Sequence, residues 1–365
     1  MDDRIHEHAA VLVDWSARVE AGDDVVMSVS EGTHDLAVAV AEKIGERGAN
    51  LVTTYGSAEL NRAYLRAHDG EFDDDPDHEL ALFEESDVVL SLGGGRNTAA
   101  QIDVPGEVRG AYSKARERTR EARMDTDWVS TVHPTRSLAQ QAGMSYEAYQ
   151  EFVYDAVLRD WEALADEMSE MKEILDEGSE VHLRSQDTDL TMSIEGRTAV
   201  NSTASVADDS HNLPSGEVFT APQATTGEVR FDVPMTIRGT RIEDVWLEFD
   251  DGEVVDYNAA RNSEVIGELL DTDEGARRLG ELGIGMNRGI DRPTDNILFD
   301  EKMAETVHLA LGRAYDACLP DGESGNDSAI HTDLITDVSD DSTLAVDGEI
   351  IQRNGTFRWE DGFEG

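Results

Sequence analysis

Short apolar runs separated by helical patterns open the chain. Four strands are predicted from such runs, at 25–30, 51–55, 87–92 and 128–132. A helix is predicted over about 33–47, where apolar residues recur every three or four positions and Gly48 follows as a stop. Because helices alternate with short buried strands, the first part of the chain is predicted to form a mostly parallel, helix-covered sheet.

The pattern changes in the second half. One long amphipathic helix is predicted over 145–176, and strands with alternating polar and apolar residues follow between 180 and 258. Helical patterns return at 261–282 and 300–316, and short strands close the chain around 343–359. Such a series of alternating strands predicts an antiparallel sheet in an α+β arrangement.

These two patterns divide the 365 residues into two predicted domains. Residues 1–140 are assigned to an α/β domain with a mostly parallel sheet. Residues 141–365 are assigned to an α+β domain with an antiparallel sheet, and this second domain is predicted to carry a metal site. A chain of this length fits two domains of ordinary size.

Acidic residues dominate the charge of the chain. Asp and Glu total 79 against 30 Lys and Arg, which gives a formal net charge of −49. Such a surface repels phosphate groups and anionic lipids, so no nucleic-acid or membrane partner is expected. Because concentrated salt screens the repulsion among so many carboxylates, the composition predicts a halophilic source, with an ordinary acidic cytosolic protein as the alternative.

The cellular compartment is predicted from what the sequence contains. Cys318 is the one cysteine, so no disulfide forms within the chain and a reducing compartment is expected. The chain starts with charged residues and has no run of about 18 apolar residues. A cytoplasmic location is therefore expected.

His331 and Asp333 are the first candidates for metal ligands. They flank Thr332 in a predicted strand, so their side chains would point to the same face. An imidazole and a carboxylate on a stiff backbone suit a divalent cation. Considered alone, a surface His-x-Asp pair without a metal is the commoner structure.

His308 and Tyr315 form a second candidate pair. They are seven residues apart in the predicted helix at 300–316, so they would share one face two turns apart. Gly312 lies between them and would leave room for a ligand. The alternative is a core His and a core Tyr without a functional role.

Two glutamates complete the set of candidates. Glu217 follows the turn Pro214-Ser215-Gly216 and precedes an apolar run, which restricts its side chain. Glu281 is predicted to end a helix, where its negative charge opposes the helix dipole and a nearby cation would compensate it. A loop Glu and an exposed surface Glu are the alternatives.

The motifs around these residues resemble the aminopeptidase T family of thermophilic metallo-aminopeptidases. The segments that carry the likeness are Asn212–Pro222, Glu281–Gly285, Asp300–Lys302, His308–Tyr315 and Ser328–Leu334. The likeness reaches the first half through Trp128-Val129 and Gly143-Met144-Ser145. It identifies the chain as a member of this family and, with the acidic composition, favours a halophilic archaeal member.

The resemblance implies the whole site. It assigns six metal ligands: Glu217, Glu281, His308, Tyr315, His331 and Asp333. Six ligands suffice for two ions roughly 3.5–4 Å apart, with zinc or cobalt favoured and magnesium as the further option. The implied reaction removes N-terminal residues from short peptides with a water activated by the two ions, and a homodimer is implied as well.

Glu281 and Tyr315 are the predicted catalytic residues. Glu281 is assigned the transfer of a proton to the leaving amine, and Tyr315 a hydrogen bond to the oxyanion. Two other functions stay open. One is a different two-metal hydrolase acting on phosphoesters or amides, and the other is a non-catalytic protein whose α/β domain binds a small ligand.

Overall fold

The computed structural model describes residues 2–237, 239–320 and 322–364. Its α-helices are α1 (Asp3–Ala10), α2 (His34–Arg47), α3 (Ala58–Ala67), α4 (Asp77–Glu84), α5 (Gly106–Lys114), α6 (Glu117–Met124), α7 (Arg136–Gln141), α8 (Tyr146–Val157), α9 (Trp161–Glu177), α10 (Ser263–Leu270) and α11 (Ile297–Asp300). Its strands are β1 (Asp24–Ser30), β2 (Asn50–Gly56), β3 (Val88–Gly93), β4 (Asp127–Val132), β5 (Glu180–Ser185), β6 (Thr188–Ser193), β7 (Val200–Ser202), β8 (Asn212–Leu213), β9 (Glu217–Thr220), β10 (Gln223–Phe231), β11 (Met235–Ile237), β12 (Thr240–Asp250), β13 (Glu253–Arg261), β14 (Leu279–Gly285), β15 (Thr306–Gly312), β16 (His331–Asp337), β17 (Thr343–Val346), β18 (Glu349–Arg353) and β19 (Thr356–Phe357). Within the described ranges, no helix is both long enough and apolar enough to cross a membrane.

The chain folds into two compact units. The first unit runs up to Arg159 and takes in the segment Ala204–Pro214, while the second unit contains Asp160–Thr203 and the chain from Ser215 onward. The boundary predicted between residues 140 and 141 concerns separable domains, and it stays a prediction.

The first unit is built on one parallel sheet with the strand order β2-β1-β3-β4-β8. The four strands predicted from apolar runs are confirmed, and each pairs in parallel with its neighbour. Helix α2 is confirmed as well. It ends at Gly48, whose left-handed backbone (φ 77°) closes the helix at little steric cost because glycine has no Cβ.

The second unit is built on antiparallel strands, so the predicted α/β and α+β combination is confirmed. Strands β5, β6, β10, β11, β12, β13, β17, β18 and β19 form a nine-stranded sheet. A smaller sheet has the order β16-β15-β14-β9-β7, and its central strands β14 and β15 are buried along their whole length. This smaller sheet carries the candidate site.

The prediction of one helix over 145–176 is wrong. The chain forms two helices there, and α9 starts afresh with Asp160 as its N-cap, whose side chain accepts a hydrogen bond from the amide of Ala163. The apolar spacing continues through both helices, so periodicity alone concealed the break. The capping residue was the available signal.

The helices predicted at 261–282 and 300–316 are also largely wrong. In 261–282 the helical segments are α10 and the short 3-10 turn Gly275–Arg277, and β14 begins at Leu279. In 300–316 the helical residues are Asp300, which ends α11, and Asp316, which begins a 3-10 turn, while β15 lies between them. Every residue of both strands is buried, and in β15 the run Leu309-Ala310-Leu311 interrupts the alternation of polar and apolar residues that begins at Thr306. Such a run also fits the spacing of a buried helix.

Candidate metal centre

Three neighbouring strands bring acidic and imidazole side chains together. Glu217 is the first residue of β9, Glu281 lies in β14 and His308 in β15. Their exposed fractions are 6%, 5% and 0%, so all three are removed from solvent. The backbone pairing sets Gly285 opposite Glu217 and Gly283 opposite His308.

The two glycines of β14 make room for the site. A Cβ on Gly283 would lie 2.0 Å from Nε2 of His308, so the imidazole occupies the space that a side chain would fill. A Cβ on Gly285 would lie 1.9 Å from the carbonyl oxygen of Met303, so the chain after α11 packs directly against the strand. The segment Glu281-Leu282-Gly283-Ile284-Gly285 thus shapes the site through residues that carry no side chain.

The first group of donors is Glu217, Glu281 and His308. Nε2 of His308 lies 2.9 Å from Oε1 of Glu281 and 3.4 Å from Oε2 of Glu217. One donor atom from each residue lies within 4.8 Å of the other two. Such a spacing of one nitrogen and two carboxylate oxygens suits a single divalent cation.

The second group shares Glu281 with the first and adds His331 and Asp333. Nε2 of His331 lies 3.6 Å from Oε2 of Glu281 and 3.7 Å from Oδ1 of Asp333. The other ring nitrogen, Nδ1, is 2.8 Å from the carbonyl oxygen of Arg313 and donates a hydrogen bond to it. That bond fixes the tautomer and leaves the lone pair of Nε2 directed at the carboxylates.

Tyr315 lies beside the second group. Its ring is 4.8 Å from the ring of His331 and 5.7 Å from that of Phe219, measured between centroids. Burial raises the pKa of the phenol, and the negative charges of Glu281, Asp333 and Glu217 raise it further. Without a cation nearby the phenol therefore keeps its proton and is a hydrogen-bond donor.

The charges of the group shift the pKa of two of its members. Burial raises the pKa of the Glu281 carboxyl, although its hydrogen bond with His308 acts in the opposite direction. Burial by itself lowers the pKa of His308, but the hydrogen bond with Glu281 and the charges of Glu217 and Asp333 outweigh it, so this pKa lies above its ordinary value. Three carboxylates this close are unfavourable together unless positive charge compensates them.

The donors fit divalent ions. Oε2 of Glu217 and Oδ1 of Asp333 are buried and have no hydrogen-bond partner among the described residues. Leaving such oxygens without a partner costs free energy, and an ion in each donor group would satisfy them. The two donor groups share Glu281, so they suit two ions with one bridging carboxylate.

A cavity of about 440 Å³ opens beside His331 and Asp333. Its other walls combine apolar residues such as Ile335 with the carboxylates of Asp295 and Asp300. A cavity that joins apolar walls to a few polar groups is a usual form of a small-molecule site.

The structure brings the six predicted residues into one place, although three of them lie in elements that were predicted wrongly. His308 is in a strand and Tyr315 is in the loop after it, so they are not neighbours on a helix face. Glu281 is in the middle of a strand and not at a helix end. His331 and Asp333 are in β16, which confirms the predicted strand.

Lys302 belongs to the motif Asp300–Lys302 and was not predicted to be a site residue, yet the structure places it inside the site. Its side chain is fully buried, and its Nζ lies 3.2 Å from Oε1 of Glu217 and contacts Glu301. A signal was available, since only four Lys stand among the 30 basic residues of the chain.

The donor groups are those of a metal-dependent enzyme, and the family to which the chain belongs makes it a hydrolase. The family described as thermophilic metalloprotease (M29) matches residues 1–357. The chain belongs to this family, and the prediction of a metallo-aminopeptidase is confirmed.

Several relatives match along most of their length. Aminopeptidase T from Thermus aquaticus is 28% identical, with 98% of each chain covered. Aminopeptidase T from Thermus thermophilus is 30% identical over 89% of this chain and 90% of that one. The solved structure of wild-type AmpT from Thermus thermophilus superposes with a TM-score of 0.85 at 27% identity, covering 98% of this chain and 99% of that chain. A 2,5-dihydroxypyridine dioxygenase from Pseudomonas putida, at 14% identity and a TM-score of 0.57, shares the fold alone.

Proposed function

We propose that the chain removes N-terminal residues from short peptides with two divalent ions held by Glu217, Glu281, His308, Tyr315, His331 and Asp333. The observation that carries this proposal is the pair of three-donor groups that share Glu281. The cavity beside His331 and Asp333 supports it, because a peptide bound there would lie next to the second group.

The protein residues have separate roles in the proposed reaction. The ions, when bound, supply a water of lowered pKa and positive charge for the amine and carbonyl of the substrate. Glu281 connects the two donor groups, and it is also the proposed carrier of the proton that reaches the leaving amine. The phenol of Tyr315, whose ring lies 4.8 Å from that of His331, is the proposed donor of a hydrogen bond to the oxyanion.

Metal titration of the purified protein tests this proposal. Zinc or cobalt added to chelator-treated protein is expected to bind at two ions per chain and to restore hydrolysis of leucine p-nitroanilide. One ion per chain would reduce the proposal to a single-metal site. Two bound ions without release of an amino acid from any peptide would end it.

Three further properties are part of the proposal: a halophilic surface, a cytoplasmic location and a homodimer. The net charge of −49 supports the first, because screening by salt lowers the repulsion among carboxylates. Thermal unfolding is therefore expected at higher temperature as KCl is raised, and a transition that does not move with KCl contradicts it. Sedimentation at the same salt concentrations tests the dimer.

A further inference from the structure

Lys302 is buried deeper than any ligand candidate except His308. Its side chain has no exposed surface, while Glu217 next to it is 8% exposed and Glu301 is 18% exposed at the side chain. A buried ammonium group is costly and persists only where carboxylates surround it. Since it is cut off from solvent, it does not touch a bound substrate.

The backbone that carries Lys302 is fixed against β14. The amide of Asn287 donates to the carbonyl oxygen of Lys302 at 3.1 Å, and Gly285 leaves the space that the following residue, Met303, occupies. The ammonium therefore comes from a rigid segment beside the strand that pairs with Glu217.

The two oxygens of Glu217 have different surroundings. Oε1 lies 3.2 Å from Nζ of Lys302, whereas Oε2 points toward His308 at 3.4 Å and has no hydrogen-bond partner. One oxygen is thus occupied by a fixed positive charge, and the other is left for an ion.

We propose that Lys302 is a positioning residue that holds Oε1 of Glu217 and thereby presents Oε2 to the metal ion of the Glu217–Glu281–His308 group. It also places one positive charge beside the carboxylate of Glu217, which belongs to a group of carboxylates that repel each other. The inference rests on the proposed function, because it takes Glu217 to be a ligand.

Two physical effects of Lys302 on a metal ion have opposite signs. A nearby positive charge repels a cation, so its removal alone would tighten metal binding. Loss of the contact that orients a ligand weakens metal binding, typically by roughly 10- to 100-fold. The second effect is the larger one in the proposed role of Lys302.

Metal binding to Lys302→Met tests the inference. Methionine keeps much of the length and removes the charge, and the dissociation constants for cobalt are measured by titration and by the visible absorption of the bound ion. The dissociation constant of one of the two ions, the one assigned to the Glu217–Glu281–His308 group, is expected to rise by roughly 10- to 100-fold. Lys172→Met is the matched control, because Lys172 forms a half-exposed ion pair with Asp176 at 2.6 Å elsewhere in the same unit.

The outcomes separate this inference from the proposed function. If the wild-type protein binds no cobalt, the proposed function fails. If the wild type binds cobalt and Lys302→Met binds it equally well or more tightly, the positioning role fails while the site stands. A lower unfolding temperature with unchanged cobalt affinity means that Lys302 is only structural, which also overturns the inference.

A second variant keeps the test open should Lys302→Met not fold. Glu301→Gln retains the ammonium but removes its other carboxylate partner. The ammonium then pairs with Glu217 alone and keeps its hold on Oε1, so cobalt affinity is expected to stay within about threefold of the wild type or to rise. A loss of cobalt affinity of about 10-fold or more in this variant would mean that Lys302 competes with the ion for Glu217, which overturns the inference.

Discussion

The two units of the molecule treat buried charge in opposite ways. Among the described residues of the first unit, no Asp, Glu, Lys or Arg is buried, and the titratable side chains in its interior are His8 and His133 together with Tyr149 and Tyr154. The second unit buries Glu217, Glu281, Asp300, Lys302 and His308. A parallel sheet lined with Val, Leu and Ile contrasts with an antiparallel sheet that has ionisable groups at its centre.

This difference indicates, without reference to any relative, that the functional site lies in the second unit. Burying charge costs several kcal/mol for each unpaired ion, roughly the net stability of a whole domain. A unit that tolerates this cost at several adjacent positions is organised around a ligand that compensates the charge. The two fully buried histidines differ in the same way between the units. The pKa of His8 in the first unit lies below its ordinary value, and the pKa of His308 in the second unit lies above it.

The largest expected effect comes from Glu281→Gln. Glu281 belongs to both donor groups, so its loss weakens both proposed ion sites at once. The catalytic efficiency kcat/KM for leucine p-nitroanilide is expected to fall by more than about 100-fold. This loss is larger than the usual effect of changing a residue that only supports a metal ligand.

The same substitution in the first unit is the control. Glu79 is half-exposed and pairs with Arg116 at 3.0 Å, so Glu79→Gln is expected to leave kcat/KM within about twofold, since exposed ion pairs contribute little. If kcat/KM fell equally in Glu281→Gln and Glu79→Gln, the buried charges of the second unit would have no special role in the activity.

Two glycine-to-alanine substitutions give the next largest effect and are expected to have opposite signs. In Gly283→Ala the new Cβ meets the imidazole of His308 at 2.0 Å, and such overpacking costs about 1–3 kcal/mol of unfolding free energy. In Gly45→Ala, within α2 of the first unit, a Cβ meets no atom within 4 Å. Alanine there is expected to stabilise the protein by about 0.5–1 kcal/mol.

Urea unfolding of both variants at constant high salt measures these changes. Gly283→Ala is also expected to bind cobalt more weakly, because its imidazole is displaced, whereas Gly45→Ala is expected to bind it as the wild type does. If both substitutions stabilise the protein, the close packing of the His308 imidazole against Gly283 is contradicted.

The sequence predicts the first unit well for a reason that lies in its core. Its strands have apolar residues bounded by polar ones, as in Asp87-Val88-Val89-Leu90, and its helix α2 has a glycine stop. Local pattern and tertiary burial agree there, so periodicity identifies both the elements and the parallel sheet.

In the second unit the local pattern and the burial disagree. Strand β15, Thr306–Gly312, is buried at every position, and its apolar residues 307, 309, 310 and 311 also fit a helical spacing. The chemistry of the site was predictable because residue types and motif order survive such an error. The roles of Gly283 and Lys302 could not be predicted from the sequence, since they depend on contacts between segments that only the fold brings together.

The smallest effect concerns His8, the buried histidine of the first unit. It is fully buried, its Nε2 lies 2.8 Å from Oγ1 of Thr131, and burial followed by the charge of His133 lowers its pKa to about 3 from 6.5. The folded state therefore holds His8 neutral at a pH where the unfolded chain binds a proton. The stability that this contributes is complete above about pH 6.5 and is lost as the pH falls from there toward 3.

The expected contribution of His8 is about 1 kcal/mol of unfolding free energy lost between roughly pH 6 and pH 5. His8→Gln removes the titrating group while keeping a partner for Thr131, so its unfolding free energy is expected to fall less over that interval. Urea unfolding at both pH values, with His6→Gln on the exposed side of the same helix as the control, measures the difference. Equal pH dependence in the wild type and His8→Gln would contradict a neutral His8, and with it the opposite pKa shifts of the buried histidines in the two units.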